Sequence, residues 1–127
     1  MRIQLDASLE EFRFTYADRE VRFRPILWVA GNQVLSVGEP PAGQADETGI
    51  RIFSQPHQDA MEALSCLIRH GVRGFRRPGF FGGLLVPKLH IRIGRDIHER
   101  LCGFAKDVFS EAAKYSGAVV GSCEVAE

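Results

Sequence analysis

The sequence predicts a mixed α/β fold in a single domain spanning residues 1–127, and three observations predict it. Segments in which apolar and polar residues alternate, typical of β-strands, dominate the first third of the chain. Two segments with apolar residues at helical spacing follow, at residues 57–70 and 96–112. Two further strand-like segments lie between and after them, at residues 86–93 and 118–122. The predicted order is therefore βββ-α-β-α-β, with two main helices packed against one mixed sheet.

Composition and charge exclude several classes of protein. The chain is 45% hydrophobic and 25% charged, as in an ordinary globular domain. Its formal net charge is zero, so no global field recruits nucleic acid or an anionic membrane. No apolar run is long enough to span a bilayer, and no signal-peptide pattern is present. We therefore expect a bacterial-type cytoplasmic location, no membrane insertion, and no nucleic acid partner.

The three cysteines form an odd set. Cys66, Cys102 and Cys123 show no C-x-x-C spacing, so reduced thiols are expected rather than a zinc site. Cys66 lies away from the apolar face of its helix and is expected to be partly exposed. The sequence predicts no metal and no cofactor.

The first strands are predicted from period-2 alternation. Residues 2–6 carry apolar side chains on one face, and residues 12–16 alternate aromatic and polar side chains. A third strand is predicted to run from residue 20 to residue 30, because its alternation continues into the apolar run ILWVA. Pro25 is interpreted as a bulge or an edge position within that strand.

A hairpin is predicted next. Gly31-Asn32 is a typical two-residue hairpin turn, so residues 33–37 should return as a fourth strand of the same sheet. Residues 39–49 lack large apolar side chains and contain turn formers, which predicts a mobile surface loop. Residues 50–53 are expected to be a short extended piece.

The first helix is predicted from about His57 to His70, opened by Pro56 and stopped by Gly71 and Gly74. The strand at residues 86–93 should join the same sheet as the first strands.

One long helix is then predicted over residues 96–112. Asp96 is the expected N-cap, with Glu99 completing a capping box, and Gly117 is the expected C-cap residue. Residues 118–122 form the last predicted strand.

The segment GFRRPGFFGG at residues 74–83 is the most unusual part of the sequence. One interpretation is a loop whose phenylalanines tuck onto the core. Another is an exposed contact loop, because Phe and Arg are typical interface anchors. The contact residues of the second interpretation are Phe75, Arg76, Arg77, Phe80 and Phe81. A third interpretation is that the arginines bind anions or nucleic acid phosphates, which would make binding steeply dependent on salt.

Several segments, taken in order, resemble one protein family. RPILWVA and QVLSVG, at residues 24–30 and 33–38, look like the "EPSVVA … VLAVG" strands of MreB-type bacterial actins. DAMEALSCLI at residues 59–68 is similar to that family's "DFEVAEAML" helix. PKLHIRIG and EAAKYSGA, at residues 87–94 and 111–118, resemble its "PRVVIGVP … REAALEAGA". This resemblance implies the ribonuclease-H-like architecture that actins share.

The sequence departs from this family where nucleotide would bind. The family's first phosphate loop, D-x-G-T, would fall at residues 6–9, where Asp6 and Ser8 echo it without the glycine that closes on a phosphate. The second nucleotide-binding half of the family is also not matched. The resemblance therefore implies a degenerate copy of one actin subdomain, a non-catalytic interaction or scaffold module without ATP hydrolysis.

The alternative from the same architecture is a small metal-dependent nuclease. Nucleases of this fold place carboxylates on the first strand, the first helix and after the fourth core strand, where they bind two divalent metals. Asp6, Glu62 and Asp96 occupy those elements. The helical position of Glu62 places it opposite the apolar face, which argues against a shared metal site.

The expected partner is a cytoplasmic protein or a second copy of the chain. Contact is predicted through an exposed sheet edge or through the loop at residues 75–81, because an unpaired strand edge invites pairing with another chain.

Overall fold

The computed structural model describes residues 2–31, 33–53, 60–75 and 86–126. Within these ranges the chain forms eight strands, three α-helices and one 3-10 turn. The strands are β1 (Arg2–Ala7), β2 (Phe12–Tyr16), β3 (Arg19–Phe23), β4 (Ile26–Ala30), β5 (Gln33–Val37), β6 (Ile50–Arg51), β7 (Lys88–Ile93) and β8 (Val119–Val125). The helices are α1 (Ala60–Arg73), α2 (Arg95–Arg100) and α3 (Ala105–Tyr115), and the 3-10 turn is Asp46–Thr48.

The main sheet has five strands in the order β3-β2-β1-β7-β8. Strands β1, β2 and β3 form an antiparallel meander. Strands β7 and β8 continue the sheet on the other side of β1, and both pairings are parallel. The predicted mixed α/β class, with the meander at one side of the sheet, is confirmed.

One face of the main sheet is apolar and packs against α1 and α3. On β1, Ile3 and Leu5 are fully buried while their neighbours face the other way. Leu67 of α1 and Phe109 of α3 belong to the same buried cluster. The Phe109 ring contacts Phe12 and Phe53, with centroids 6.1 and 6.0 Å away. Most of the helical stripe predicted over residues 97–112 is buried in the core, but Phe104 is 64% exposed, which corrects the prediction at that position. The opposite face of the sheet is polar.

The predicted third strand is wrong in its length. β3 ends at Phe23, and the apolar run that follows forms β4 in a second sheet of order β5-β4-β6. Proline has no N–H for a ladder bond, so Pro25 ends the pairing with β2. The Ile26 amide donates to the Arg24 carbonyl across Pro25, at 2.8 Å, which turns the chain out of the main sheet.

The hairpin prediction is right in its pairing and wrong in its sheet. β4 and β5 pair antiparallel, as expected, and the predicted extended piece at residues 50–53 contributes β6, which pairs with β4. Because β4 has left the main sheet, β5 leaves with it.

The first helix extends past its predicted end. α1 runs to Arg73, so Gly71 lies inside the helix and does not stop it. A Cβ at Gly71 would collide with the Phe14 ring, which shows that this glycine lets α1 approach β2 closely. The start predicted at residues 57–59 lies outside the described residues. Cys66 is half-buried, as predicted.

The predicted long helix is two helices. α2 ends at Arg100, and the chain turns through Cys102 and Gly103, whose φ angles are 53° and 88°. Asp96 is not the N-cap, because Gly94 holds that position and no side chain caps the helix there. Gly117 follows α3 with φ of 90°, and its amide donates to the Lys114 carbonyl, so the predicted end is confirmed.

No helix among the described residues is long and apolar enough to cross a membrane.

Candidate interaction surface

The structure does not bring the three carboxylates of the nuclease hypothesis together. Asp6 lies on the polar face of the main sheet, 3.5 Å from the Arg13 guanidinium. Glu62 is exposed on α1, as its helical position predicted. The Asp96 carboxylate accepts from its neighbour Ile97 and from the Leu9 amide, at 2.8 and 2.9 Å. Within the described ranges, no group of three His, Cys, Asp or Glu side chains could hold a metal ion.

In the loop that resembles a phosphate loop, residues 6–9 and the following turn, backbone amides donate to acceptors within the protein. The Ser8 amide donates to the Glu11 carbonyl at 2.9 Å, and the Glu11 amide donates to the Ser8 hydroxyl at 3.1 Å. The Leu9 amide is held by Asp96. These three N–H groups already have acceptors, and a phosphate would have to displace them.

Phe75 is a core residue and not a contact residue, which corrects that part of the loop prediction. Its side chain is only 3% exposed, and its ring meets Tyr16 edge-on at 5.9 Å. The Arg19 guanidinium lies 5.6 Å above the same ring and donates to the Phe75 carbonyl at 3.3 Å. This agrees with the interpretation that phenylalanines of this segment pack on the core. Arg76, Arg77, Phe80 and Phe81 lie outside the described residues.

The second sheet carries an apolar surface that we call the apolar patch. It consists of Val29, Val34, Leu35 and Ile50, which are 42, 44, 43 and 40% exposed. They account for half of the eight large apolar side chains that are exposed within the described ranges. Clustering matters here, because single exposed apolar residues are normal whereas a contiguous patch marks a docking site.

The patch arises because only part of one face of the second sheet packs on the core. Leu27 is buried in the core at 3% exposure, and Ile50 is its cross-strand partner. Val29 lies two residues further along the same face of β4 and pairs with Val34 of β5. The register shifts between these pairs, so Leu35 is an extra residue on β5, a β-bulge. One end of this face is therefore covered by the core and the other end is not.

The opposite face of the second sheet is covered by its own connecting loop. The Trp28 indole N–H donates to the Thr48 hydroxyl and the Ala45 carbonyl, at 3.2 and 3.4 Å. Gly49 packs so closely on Ile26 and Trp28 that a Cβ there would collide with both. The segment predicted as a mobile loop thus contains a 3-10 turn that packs on Trp28.

A pair of charged side chains fastens this loop to the junction between the sheets. The Arg24 guanidinium donates to an Asp46 carboxylate oxygen at 2.7 Å, and Arg51 lies 3.2 Å from the other oxygen. Arg24 also donates to the Gly38 carbonyl just after β5, at 2.9 Å. The hydrogen bond from Arg24 holds the pKa of the Asp46 carboxyl below its usual range, and it raises the pKa of Arg24.

The outer edge of β5 is the least protected strand edge of the described residues. β5 pairs with β4 alone among the described strands, and its sequence QVLSV contains no charge. The edge strand β3, by contrast, carries Arg19, Glu20 and Arg22. β8, the other edge of the main sheet, contains Glu124. Charges on an edge strand oppose pairing with other chains, so β5 is the edge best suited to accept one.

Sequence reasoning missed the apolar patch for a specific reason. The sequence predicts residues 26–30 and 33–37 as strands of one large sheet, and in such a sheet Val29 would be covered. The available signal was Pro25 within an apolar run, followed by a tight hairpin, which together indicate a strand pair leaving the main sheet.

No protein-family model matches the chain, and no curated protein matches its sequence. The fold and the surface define a mixed α/β protein with an apolar, edge-exposed second sheet. Its function is inferred from these residues alone.

Proposed function

We propose that the protein is a non-catalytic interaction module that associates with a second copy of itself through β5 and the apolar patch. The observation that carries this proposal is the position of the patch beside a strand edge that is uncharged and pairs with no other described strand. Backbone N–H and C=O groups along that edge supply hydrogen bonds, and the patch supplies apolar area to bury.

A second copy suits this edge because of symmetry. A two-fold axis places each residue of β5 opposite another residue of the same strand in the partner. A charged residue there would face a like charge or an apolar side chain, and β5 has no charged residue. With the axis between Val34 and Leu35, each of these residues would face the other one in the partner, so apolar side chains meet apolar side chains.

The proposal also retains the relationship to a single actin subdomain. The strand order β3-β2-β1-β7-β8, with β7 and β8 parallel to β1, supports it, because right-handed crossovers predict this arrangement. The second sheet lies between β3 and α1 in the chain and is an addition to that order. The occupied amides of Ser8, Leu9 and Glu11 support a module without ATP hydrolysis.

The test is the oligomeric state of the full chain and of Val34→Lys, measured by sedimentation velocity over a range of concentrations. We expect a wild-type dimer and a Val34→Lys monomer, because the lysine places a charge on the paired edge. Val119→Lys is the matched control, since Val119 is a similarly exposed strand valine, 52% exposed, on the main sheet. The control should remain dimeric.

Position 34 is exposed, so we expect Val34→Lys to fold like wild type. Circular dichroism and thermal unfolding check this. A wild-type chain that sediments as a monomer at every concentration contradicts the homodimer. A wild-type monomer that captures another cytoplasmic protein, with capture lost in Val34→Lys, would assign the same surface to a different partner. A Val34→Lys dimer would show that the association uses another face.

A further inference from the structure

The polar face of the main sheet contains a cavity of about 440 Å³. It lies on the side of the sheet opposite α1 and α3, and none of its lining residues belongs to the second sheet. Its polar lining comes from four adjacent strands and includes Arg2, Gln4, Thr15, His90, Arg92 and Ser122. Parallel strands are usually covered on both faces. No described helix covers β1, β7 and β8 on this side.

The strand register arranges this lining in rows. Gln4 lies opposite Thr15 on β2 and opposite His90 on β7, and His90 lies opposite Ser122 on β8. Neighbouring strands are about 4.8 Å apart, so the four side chains form a continuous polar row across the sheet.

A hydrogen-bonded chain orients the centre of this row. The Arg2 Nε donates to His90 Nε2 at 3.1 Å, and His90 Nδ1 lies 2.9 Å from the Ser122 hydroxyl oxygen. Arginine is a donor only, so Nε2 of His90 must be the acceptor and carries no proton. In the neutral ring the proton is then on Nδ1, which donates to Ser122 Oγ.

This direction of donation determines the chemistry available. His90 cannot take the proton of Ser122 while it donates to that hydroxyl, so the pair is not a nucleophile and its base. The terminal Nη groups of Arg2 and the Ser122 O–H are left as donors directed to the cavity. Among the described residues, no carboxylate oxygen lies within 4.0 Å of a side-chain nitrogen of Arg2 or Arg92.

Gly121 makes room for the imidazole. It is the extra residue at a register shift between β7 and β8. A Cβ there would lie 2.7 Å from His90 Cε1 and 2.9 Å from Lys88 Cε. Any larger residue would push the His90 ring away from its position between Arg2 and Ser122.

The lining indicates the kind of ligand. The lining contains two positively charged side chains, Arg2 and Arg92, and one carboxylate, Glu124. Its other polar side chains are neutral. The lining contains no Phe, Tyr or Trp on which a nucleic acid base could stack. Guanidinium groups favour planar or tetrahedral oxyanions through paired N–H donors. Glu124 can accept from a hydroxyl or an amino group on the same molecule.

We propose that this cavity binds a small polar oxyanion, a molecule with a carboxylate or phosphate group and a hydroxyl or amino donor, through Arg2 oriented by His90 and Ser122. The volume suits such a ligand, since small-molecule sites span roughly 300–1,000 Å³. The site is independent of the β5 edge, so it stands whether or not the chain dimerises.

The test is an NMR titration of the isotope-labelled full chain with inorganic phosphate and, separately, with acetate. Sodium chloride at matched ionic strength is the reference. We expect saturable shifts at backbone amides near residues 2–4, 88–92 and 121–124 with at least one oxyanion. Arg2→Gln should weaken that binding about tenfold, because it removes the charge-assisted donors.

Arg22→Gln is the charge-matched control on the same sheet face. Its guanidinium already pairs with Glu11 and Glu20, at 3.6 and 3.4 Å, and does not line the cavity. We expect it to bind within about twofold of wild type, in line with a modest change in long-range field. If Arg2→Gln and Arg22→Gln weakened oxyanion binding equally, the binding would follow the overall charge of the protein, and the proposed site at Arg2 would be wrong.

Gly121→Ala tests the positioning role of His90 without changing charge. It should weaken oxyanion binding and shift the His90 ring resonances, while circular dichroism shows a folded chain. Shifts that do not saturate with either oxyanion, or unchanged binding in Arg2→Gln, contradict the proposal.

Discussion

At the scale of the residue, Gly71 has a different role in the structure from the one that the sequence predicts. In the sequence it marks a helix end, because glycine is the poorest helix former after proline. In the structure it lies inside α1, where the missing side chain makes space for the fully buried Phe14 ring. Packing across the helix–sheet interface has overridden local propensity.

We expect Gly71→Ala to destabilise the protein by about 1–3 kcal/mol, because the added methyl overpacks the core. In an exposed helix the same change stabilises by about 1 kcal/mol. The sign of the change in the free energy of unfolding therefore shows whether position 71 packs against the Phe14 ring. Urea unfolding measures it. In a Phe14→Leu background the smaller side chain should reduce the cost of Gly71→Ala, and a stabilising Gly71→Ala would contradict the packing.

At the scale of the element, the turn between α2 and α3 depends on backbone conformation. The apolar periodicity of residues 97–112 continues through this turn, so it predicts a single helix. Cys102 and Gly103 instead both adopt positive φ, and the Gly103 amide donates to the His98 carbonyl at 3.2 Å. This left-handed pair ends α2 and redirects the chain into α3.

Two substitutions at this turn should have different effects. Gly103→Ala should cost about 1 kcal/mol, because a side chain at positive φ is strained although nothing lies near its Cβ. Cys102→Gly should be neutral or stabilising, because it removes that strain from an exposed residue. Both are measured as changes in the free energy of unfolding. Equal destabilisation by the two changes would rule out positive φ as the cause.

At the scale of the whole molecule, Arg24 and Asp46 hold the loop of the second sheet at the junction between the two sheets. Asp46 has a lowered pKa in the folded chain, so its carboxylate stabilises the fold at pH values above the unfolded pKa. This contribution is lost as the pH falls through the lower, folded value. The second sheet should therefore loosen under acid conditions before the main sheet does.

Asp46→Asn at neutral pH should reproduce that acid effect. We expect faster amide hydrogen exchange in β4, β5 and β6, with exchange in β1 and β7 unchanged, because the lost bond lies in the second sheet. Asp18→Asn, which removes the same charge from a turn that makes no ion pair among the described residues, is the control. Equal acceleration in both sheets would show that they unfold as one unit.

The sequence by itself determined the features that depend on near neighbours. Alternation in β1 and β7, the buried stripe of α3, and Gly117 at its end all follow from local periodicity and capping. These predictions hold because side-chain direction repeats every two residues in a strand and every 3.6 in a helix, whatever lies elsewhere.

Only the tertiary structure decided which sheet each strand joined and which surfaces stayed open. β4 joins the second sheet where Arg24 reaches Gly38 and Asp46, 14 and 22 residues further along the chain. Arg2 meets His90 across 88 residues, and Phe75 is buried by Tyr16 and Arg19. Such contacts depend on how distant segments pack. Pro25 and the hairpin indicate locally that β4 and β5 leave the main sheet, but they do not identify the distant residues on which Arg24, Arg2 and Phe75 pack. The apolar patch and the oxyanion cavity are both products of that packing.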